Sequence, residues 1–318
     1  MLGNLVFSLN ATMPLFLVMA VGYFIRRIKV VDEPFIKKAN SFNFSVTIPC
    51  LLFADMATAD FRETFDLTFF LFCFIATLVI VLVTWGVCRL TFRKNRAEIA
   101  EFVQGCYRSS LAVSGMALVE RISGNTSMGG IMMLATVPLY NVFAVILLQT
   151  ESPDKSLNAG EHRLKKAIIG IAKNPIIISI LAGFVSSLIG IKYPVVIMST
   201  LELIKRIATP FALICIGADF EFKKAFGKIG KSGLASAFKL LIFPAITLPL
   251  AVAMGFRNEH LIAILVAFAS PATPVGFIMC KQYGYEGTIS SSVVALTTLL
   301  SSFTMTLFIF ILKNMGYI

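Results

Sequence analysis

The chain has 318 residues, 57% of them apolar and 14% charged, where soluble chains average about a quarter charged. Its formal charge of +11 comes mainly from Lys and Arg gathered in short segments between apolar runs, not from a basic stripe with stacking aromatics. This excludes a soluble globular domain and a nucleic-acid-binding module, and marks an all-α polytopic membrane protein with the lipid bilayer as its first partner.

Ten apolar runs follow one another, each long enough to cross a bilayer core. They cover residues 4–26, 35–58, 65–90, 97–120, 127–150, 167–190, 194–219, 232–256, 258–282 and 287–313. The first run has no basic n-region and no A-x-A cleavage site, so it predicts a retained span rather than a signal peptide. The connections alternate in charge. Odd-numbered connections hold 19 Lys and Arg, even-numbered ones four. The positive-inside rule then places the odd connections in the cytoplasm and both termini outside the plasma membrane. The longest connection, TESPDKSLNAGEHRLKK (Thr150–Lys166), is polar. It predicts a cytoplasmic linker, 151–166, dividing the chain into halves 1–150 and 167–318.

Polar residues inside these spans are the candidates for function. In the second span Asn40 and Asn43 read as hydrogen bonds between helices. The fourth span carries Arg108, Ser109, Ser110 and Ser114 near its middle, the arginine about 18 Å deep by helical rise. A midplane arginine is costly and usually functional. It either holds a substrate carboxylate in a bidentate pair or meets a structural partner such as Glu101 or Glu286. In the fifth span Asn141, beside Tyr140, lines a cavity or bonds to a neighbouring helix. Glu202, Lys205 and Arg206 in the seventh span have the spacing for mutual neutralisation, with a proton relay as the alternative.

The ninth span reads FASPATPVGFIMCKQYG, with Pro271 and Pro274 in mid-run. Each proline removes a backbone donor and clashes with the preceding turn. Ser270 and Thr273 precede the prolines and are both good N-cap residues, so Thr273-Pro274 can close an unwound segment and start a new half-helix. Freed N–H groups and the half-helix dipole would attract an anion. The alternative is a simple proline kink. The six cysteines lack paired spacing, and His162 and His260 sit at span ends. Neither metal nor cofactor is implied, and no nucleophile–base constellation points to an enzyme.

The halves repeat. Pro14, Gly22 and Pro49 match Pro175, Gly183 and Pro210 at a constant offset of 161. Five spans per half make the repeat inverted, an arrangement that secondary transporters use for alternating access. Phe92-Arg93 matches Phe256-Arg257 at an offset of 164, which sets Tyr107–Ser110 opposite Pro271–Pro274. The ninth span is interrupted and the fourth, without a proline, is polar at equivalent depth, and such a pair points to a binding site. Asn141 likewise falls opposite Ser302.

The segments NPIIISILAGFV, ATPFALICIGADF, RSSLAVSGMAL and FASPATPVGFIMCKQYG, in this order and spacing, resemble the auxin efflux carrier family, in its bacterial form with a short central loop. The resemblance implies ten transmembrane helices in two inverted five-helix repeats. Spans 1, 2, 6 and 7 would form a scaffold, and spans 3–5 and 8–10 a transport domain in which spans 4 and 9 are broken and cross. It also implies a homodimer through the scaffold and a small organic anion as substrate, such as malate, malonate or an auxin-like carboxylate, with a proton or sodium as possible coupling ion. The substrate would meet Arg108, Ser109, Ser110, Ser114, Asn141, Ser270, Pro271, Thr273 and Pro274. The family usually has Asn where Ser110 stands and often Pro where Ala117 stands. A sodium symporter of the bile-acid type and a non-transporting membrane sensor are the alternatives.

Overall fold

The computed structural model describes residues 2–58, 65–92, 95–111, 119, 127–152, 169–170 and 172–318, and every regular element among them is helical. Helix α1 (Leu2–Arg27) ends on Arg26 and Arg27, cations at the negative end of the helix dipole. Helix α2 (Glu33–Phe42) starts on Asp32, whose carboxylate accepts from the Phe35 N–H at 2.9 Å. A π-helical turn, Asn43–Thr47, leads into α3 (Ile48–Thr58). Then come α4 (Leu67–Thr91), α5 (Arg96–Tyr107) and α6 (Ser127–Thr150).

Asn174 caps α7 (Pro175–Ile189), which stops at Gly190 in the left-handed conformation, φ 77°. After it come α8 (Val195–Asp219), the short α9 (Phe222–Gly227), α10 (Ile229–Ala237), a second π turn (Phe238–Ile242) and α11 (Phe243–Ala253). The chain finishes with α12 (Glu259–Ala269), α13 (Pro274–Gln282) and α14 (Thr288–Asn314). Each π turn runs into a proline two residues past its end, Pro49 and Pro244. A proline ring clashes with the carbonyl four residues back, and a widened turn relieves that clash without ending the helix.

Among the described residues, five stretches are long and apolar enough to cross a membrane: Leu67–Thr91, Met128–Thr150, Ile229–Ala253, Glu259–Gln282 and Thr288–Asn314. On α4, Leu71, Ile75, Val79, Leu82, Val83 and Leu90 are exposed. They form an apolar face that no described residue covers, suited to lipid and not to water.

Helices α1 and α8, and likewise α3 and α7, pack most extensively against each other, and α8 also packs on α3. Glycines set the approach. A methyl group at Gly22 would overlap the Ile214 carbonyl, and one at Gly217 the Met19 carbonyl. At Gly183 it would lie 2.6 Å from the Phe53 carbonyl oxygen. Small residues that let backbones touch are a standard means of holding membrane helices together. Gly217→Ala is therefore expected to lower the melting temperature in detergent by several degrees, an overpacking cost of about 1–3 kcal/mol. Gly86→Ala, where an added methyl meets nothing within 4 Å, is the control and should melt as the parent does.

Candidate functional site: two helix breaks around a buried arginine

Helix α5 stops at Tyr107 without a proline. Arg108 turns to extended backbone, φ −74°, ψ 128°, and residues 108–110 leave the helix. Helix α12 stops at Ala269, with Ser270 extended at φ −69°, ψ 159°. Thr273 then caps α13, its hydroxyl oxygen accepting from the Val275 N–H at 3.4 Å. Ser270 does not act as a cap. Its hydroxyl is buried and, among the described residues, has no hydrogen-bond partner.

One backbone hydrogen bond joins the two breaks, and α14 satisfies a further donor. The Ser110 N–H donates to the Pro271 carbonyl at 2.8 Å. The Ala272 N–H donates to Thr297 Oγ1 of α14 at 2.9 Å. Non-helical backbone buried within a membrane protein needs such partners, because no bulk water is there to supply them.

Arg108 is 3% exposed and lies where the breaks meet. Its Nη2 donates to Asn141 Oδ1 at 3.0 Å, and its Nη1 to the Tyr140 carbonyl at 3.2 Å and to Met279 Sδ at 3.3 Å. Among the described residues its Nε has no hydrogen-bond partner. Neither acid expected as a structural mate reaches it. Glu101 accepts the N–H groups of Gly287, Ile289 and Ser290 at 2.9, 2.9 and 3.1 Å, which caps α14 from another helix. Glu286 lies outside the spans on Lys228, at 2.6 Å, and that ammonium holds its carboxyl below the usual carboxylate range. The guanidinium is thus buried and, among the described residues, bonded only to neutral atoms.

Five of the nine residues chosen from the sequence line one cavity of about 50 Å³: Arg108, Ser109, Ser110, Asn141 and Thr273. Leu52 and Asp55 of α3 and Thr209 of α8 line it as well. Ser270, Pro271 and Pro274 are buried but do not line it. Ser114 lies outside the described residues. Asn141 meets Arg108 and also donates to the Val137 carbonyl at 2.9 Å, whereas Ser302 is buried on α14 and not part of this lining. Asn43 links helices as expected, donating to the Ala208 carbonyl at 3.2 Å. Glu202 pairs with Lys205 at 3.2 Å and Arg206 at 3.6 Å, and Lys205 reaches Asp55 at 2.9 Å. The Asp55 contact joins α3 to α8 and was not read from spacing.

Lys239 is the functional candidate that sequence reasoning missed. Its side chain sits in the second π turn, 1% exposed. Nζ donates to Ser109 Oγ, to the Tyr107 carbonyl at 3.4 Å and to the Ala267 carbonyl at 3.5 Å. The available signal was a lone lysine near the middle of an apolar run. Tyr107 and Tyr140 complete the surroundings. The Tyr107 hydroxyl donates to the Tyr140 carbonyl at 3.0 Å, and the Tyr140 hydroxyl to the Ala267 carbonyl at 3.3 Å. Farther off, a vestibule of about 1120 Å³ opens among the ends of α1 and α8, α9 and the α13–α14 connection. Arg26, Arg27, Lys224 and Lys281 line it together with Asp219 and Glu286, and Lys281 pairs with Asp219 at 2.8 Å.

Paired helix breaks about a buried cation, in an apolar helical chain, are features of a membrane carrier. Residues 7–309 match the family described as Membrane transport protein. The chain belongs to this family. It is the family to which the auxin efflux carrier resemblance pointed. Among relatives, "Uncharacterized transporter YfdV" of Escherichia coli (strain K12) is 23% identical over 297 residues, covering 92% of this chain and 94% of that protein. A Rhizobium meliloti (strain 1021) protein named "Putative malonate transporter" is 24% identical over 316 residues, covering 95% of each. Membership makes the chain a membrane transport protein.

Proposed function

We propose that this chain is a secondary transporter that moves a small organic anion, of the class of malonate or malate, across the plasma membrane by alternating access. One observation carries the reading. Arg108 is a buried cation that, among the described residues, has neutral partners and a free Nε, at the meeting of two helix breaks, on the wall of a cavity. A buried guanidinium without a counter-ion is costly, and a carboxylate ligand would repay that cost. Ser109, Ser110, Asn141 and Thr273 offer neutral polar groups around it, and Ser114, Ser270, Pro271 and Pro274 belong to the same two breaks. Asp55 brings no net negative charge, because Lys205 neutralises it. The name of the Rhizobium meliloti relative supports a dicarboxylate.

In this reading the ten spans form two inverted repeats, 1–150 and 167–318, joined by a cytoplasmic linker at 151–166, with both termini outside. The mutual packing of α1, α3, α7 and α8 supports a scaffold of spans 1, 2, 6 and 7, through which a homodimer forms. The remaining spans carry the breaks, which cross, and move against that scaffold. A cavity of about 50 Å³ holds a few water molecules but no dicarboxylate, so loading requires these two parts to separate.

The test is uptake of radiolabelled malonate, malate and indole acetate into proteoliposomes under imposed proton and sodium gradients. Saturable uptake of at least one acid is expected. If none moves while the protein remains folded and inserted, the reading fails and a non-transporting sensor takes its place.

A further inference from the structure

We infer that the Lys239 ammonium is a resident cation, standing where the two breaks would otherwise hold a free monovalent cation, so that the chain carries its anion without sodium. The inference rests on the anion-transport reading for its consequence, but its geometry is independent of any substrate. The Tyr107 carbonyl ends α5 and the Ala267 carbonyl lies in the last turn of α12. Helix C-termini carry partial negative charge, and unwound carbonyls with half-helix C-terminal ends are what coordinates cations in broken-helix carriers. Ser109 Oγ accepts from Lys239 and in turn donates to the Ala267 carbonyl, which adds a hydroxyl between the two carbonyls. All three oxygens are neutral and all belong to the breaks or to the helix ends beside them. Among the described residues no carboxylate contacts the amine, and its three hydrogen-bond partners are neutral oxygens.

The lysine's position has a cause in the chain. Its Cα belongs to the π turn that precedes Pro244, and that turn contacts both α5 and α12. The amine thus bridges the helix ends of both halves from a third helix. A merely space-filling lysine would not need three oxygens drawn from two different helix ends.

The experiment combines uptake with thermal unfolding, which needs no substrate. Wild-type uptake should be the same in sodium and in choline media. Lys239→Ala empties the amine's place. In choline it should transport at least roughly tenfold more slowly and melt lower, and sodium, lithium or methylammonium at millimolar concentration should restore several degrees of the lost melting temperature. Lys239→Met fills the same space without charge. It should fold, transport poorly and respond to none of these cations. Sodium-dependent wild-type uptake overturns the inference, as does Lys239→Met transport at the wild-type rate. A Lys239→Ala protein that melts identically in every cation also overturns it, with Lys239→Ser as the second small variant should alanine not fold. Should the cation rescue hold while no anion is carried, the resident-cation site stands and the transport reading falls.

Discussion

Arg108→Ala is expected to lower uptake of the transported anion by at least about 100-fold, with little change in melting temperature. A charge-assisted hydrogen bond contributes about 1.5–3 kcal/mol, and every 1.4 kcal/mol is a factor of ten. Two such bonds in a bidentate pair would exceed a hundredfold, and the loss of positioning by Asn141 adds to it. The small stability change follows from opposing effects. The variant loses bonds to Asn141, Tyr140 and Met279, but it also removes an arginine that is 3% exposed. Arg108→Lys keeps the charge and loses the fork, so it should fall between the two. Wild-type uptake by a well-folded Arg108→Ala protein would remove the arginine from the site.

Glu101→Ala is expected to cost about 3 kcal/mol or more of stability. Helix α14 has no side-chain cap of its own at Gly287. Glu101, reaching across from α5, supplies one and takes three of its first N–H groups. Each buried donor left without a partner costs about 1–3 kcal/mol, and the carboxylate's interaction with the helix dipole is lost as well. Glu101→Gln keeps an acceptor and should lose about half as much. Thermal unfolding in detergent separates the three proteins. An alanine variant melting within a degree or two of wild type would mean that the carboxylate does not hold α14.

Much of the helical layout could be read in the sequence, because apolar run length and the polar connections mark helix ends directly. The ends of α1, α6 and α8 at Arg27, Thr150 and Asp219 lie within a residue of the hydropathy boundaries. The break at Arg108 was harder to see. It has no proline; its polar residues and their offset from Pro271–Pro274 marked the place, and only the family resemblance implied a break there. Its backbone is held open by the Pro271 carbonyl, a partner 161 residues away that no local pattern encodes. Lys239 escaped for a different reason. A single charge in a long apolar window barely changes the window's average, and its meaning depends on which oxygens surround it in space. Asp55 likewise gained significance only through Lys205, on another helix.

The turn at Phe238–Ile242 has a consequence for comparing this chain with others. A π turn holds one residue more than an α-helix of the same length would. Deleting one codon, at Leu240 for example, would restore ordinary pitch and swing α10 about 100° relative to α11. The Lys239 amine would then leave the helix ends it now touches, although the lysine itself would still be present. A homologue with lysine in the corresponding column but one residue fewer before its proline would therefore be a different device. In this region gaps in an alignment carry as much chemical information as the letters.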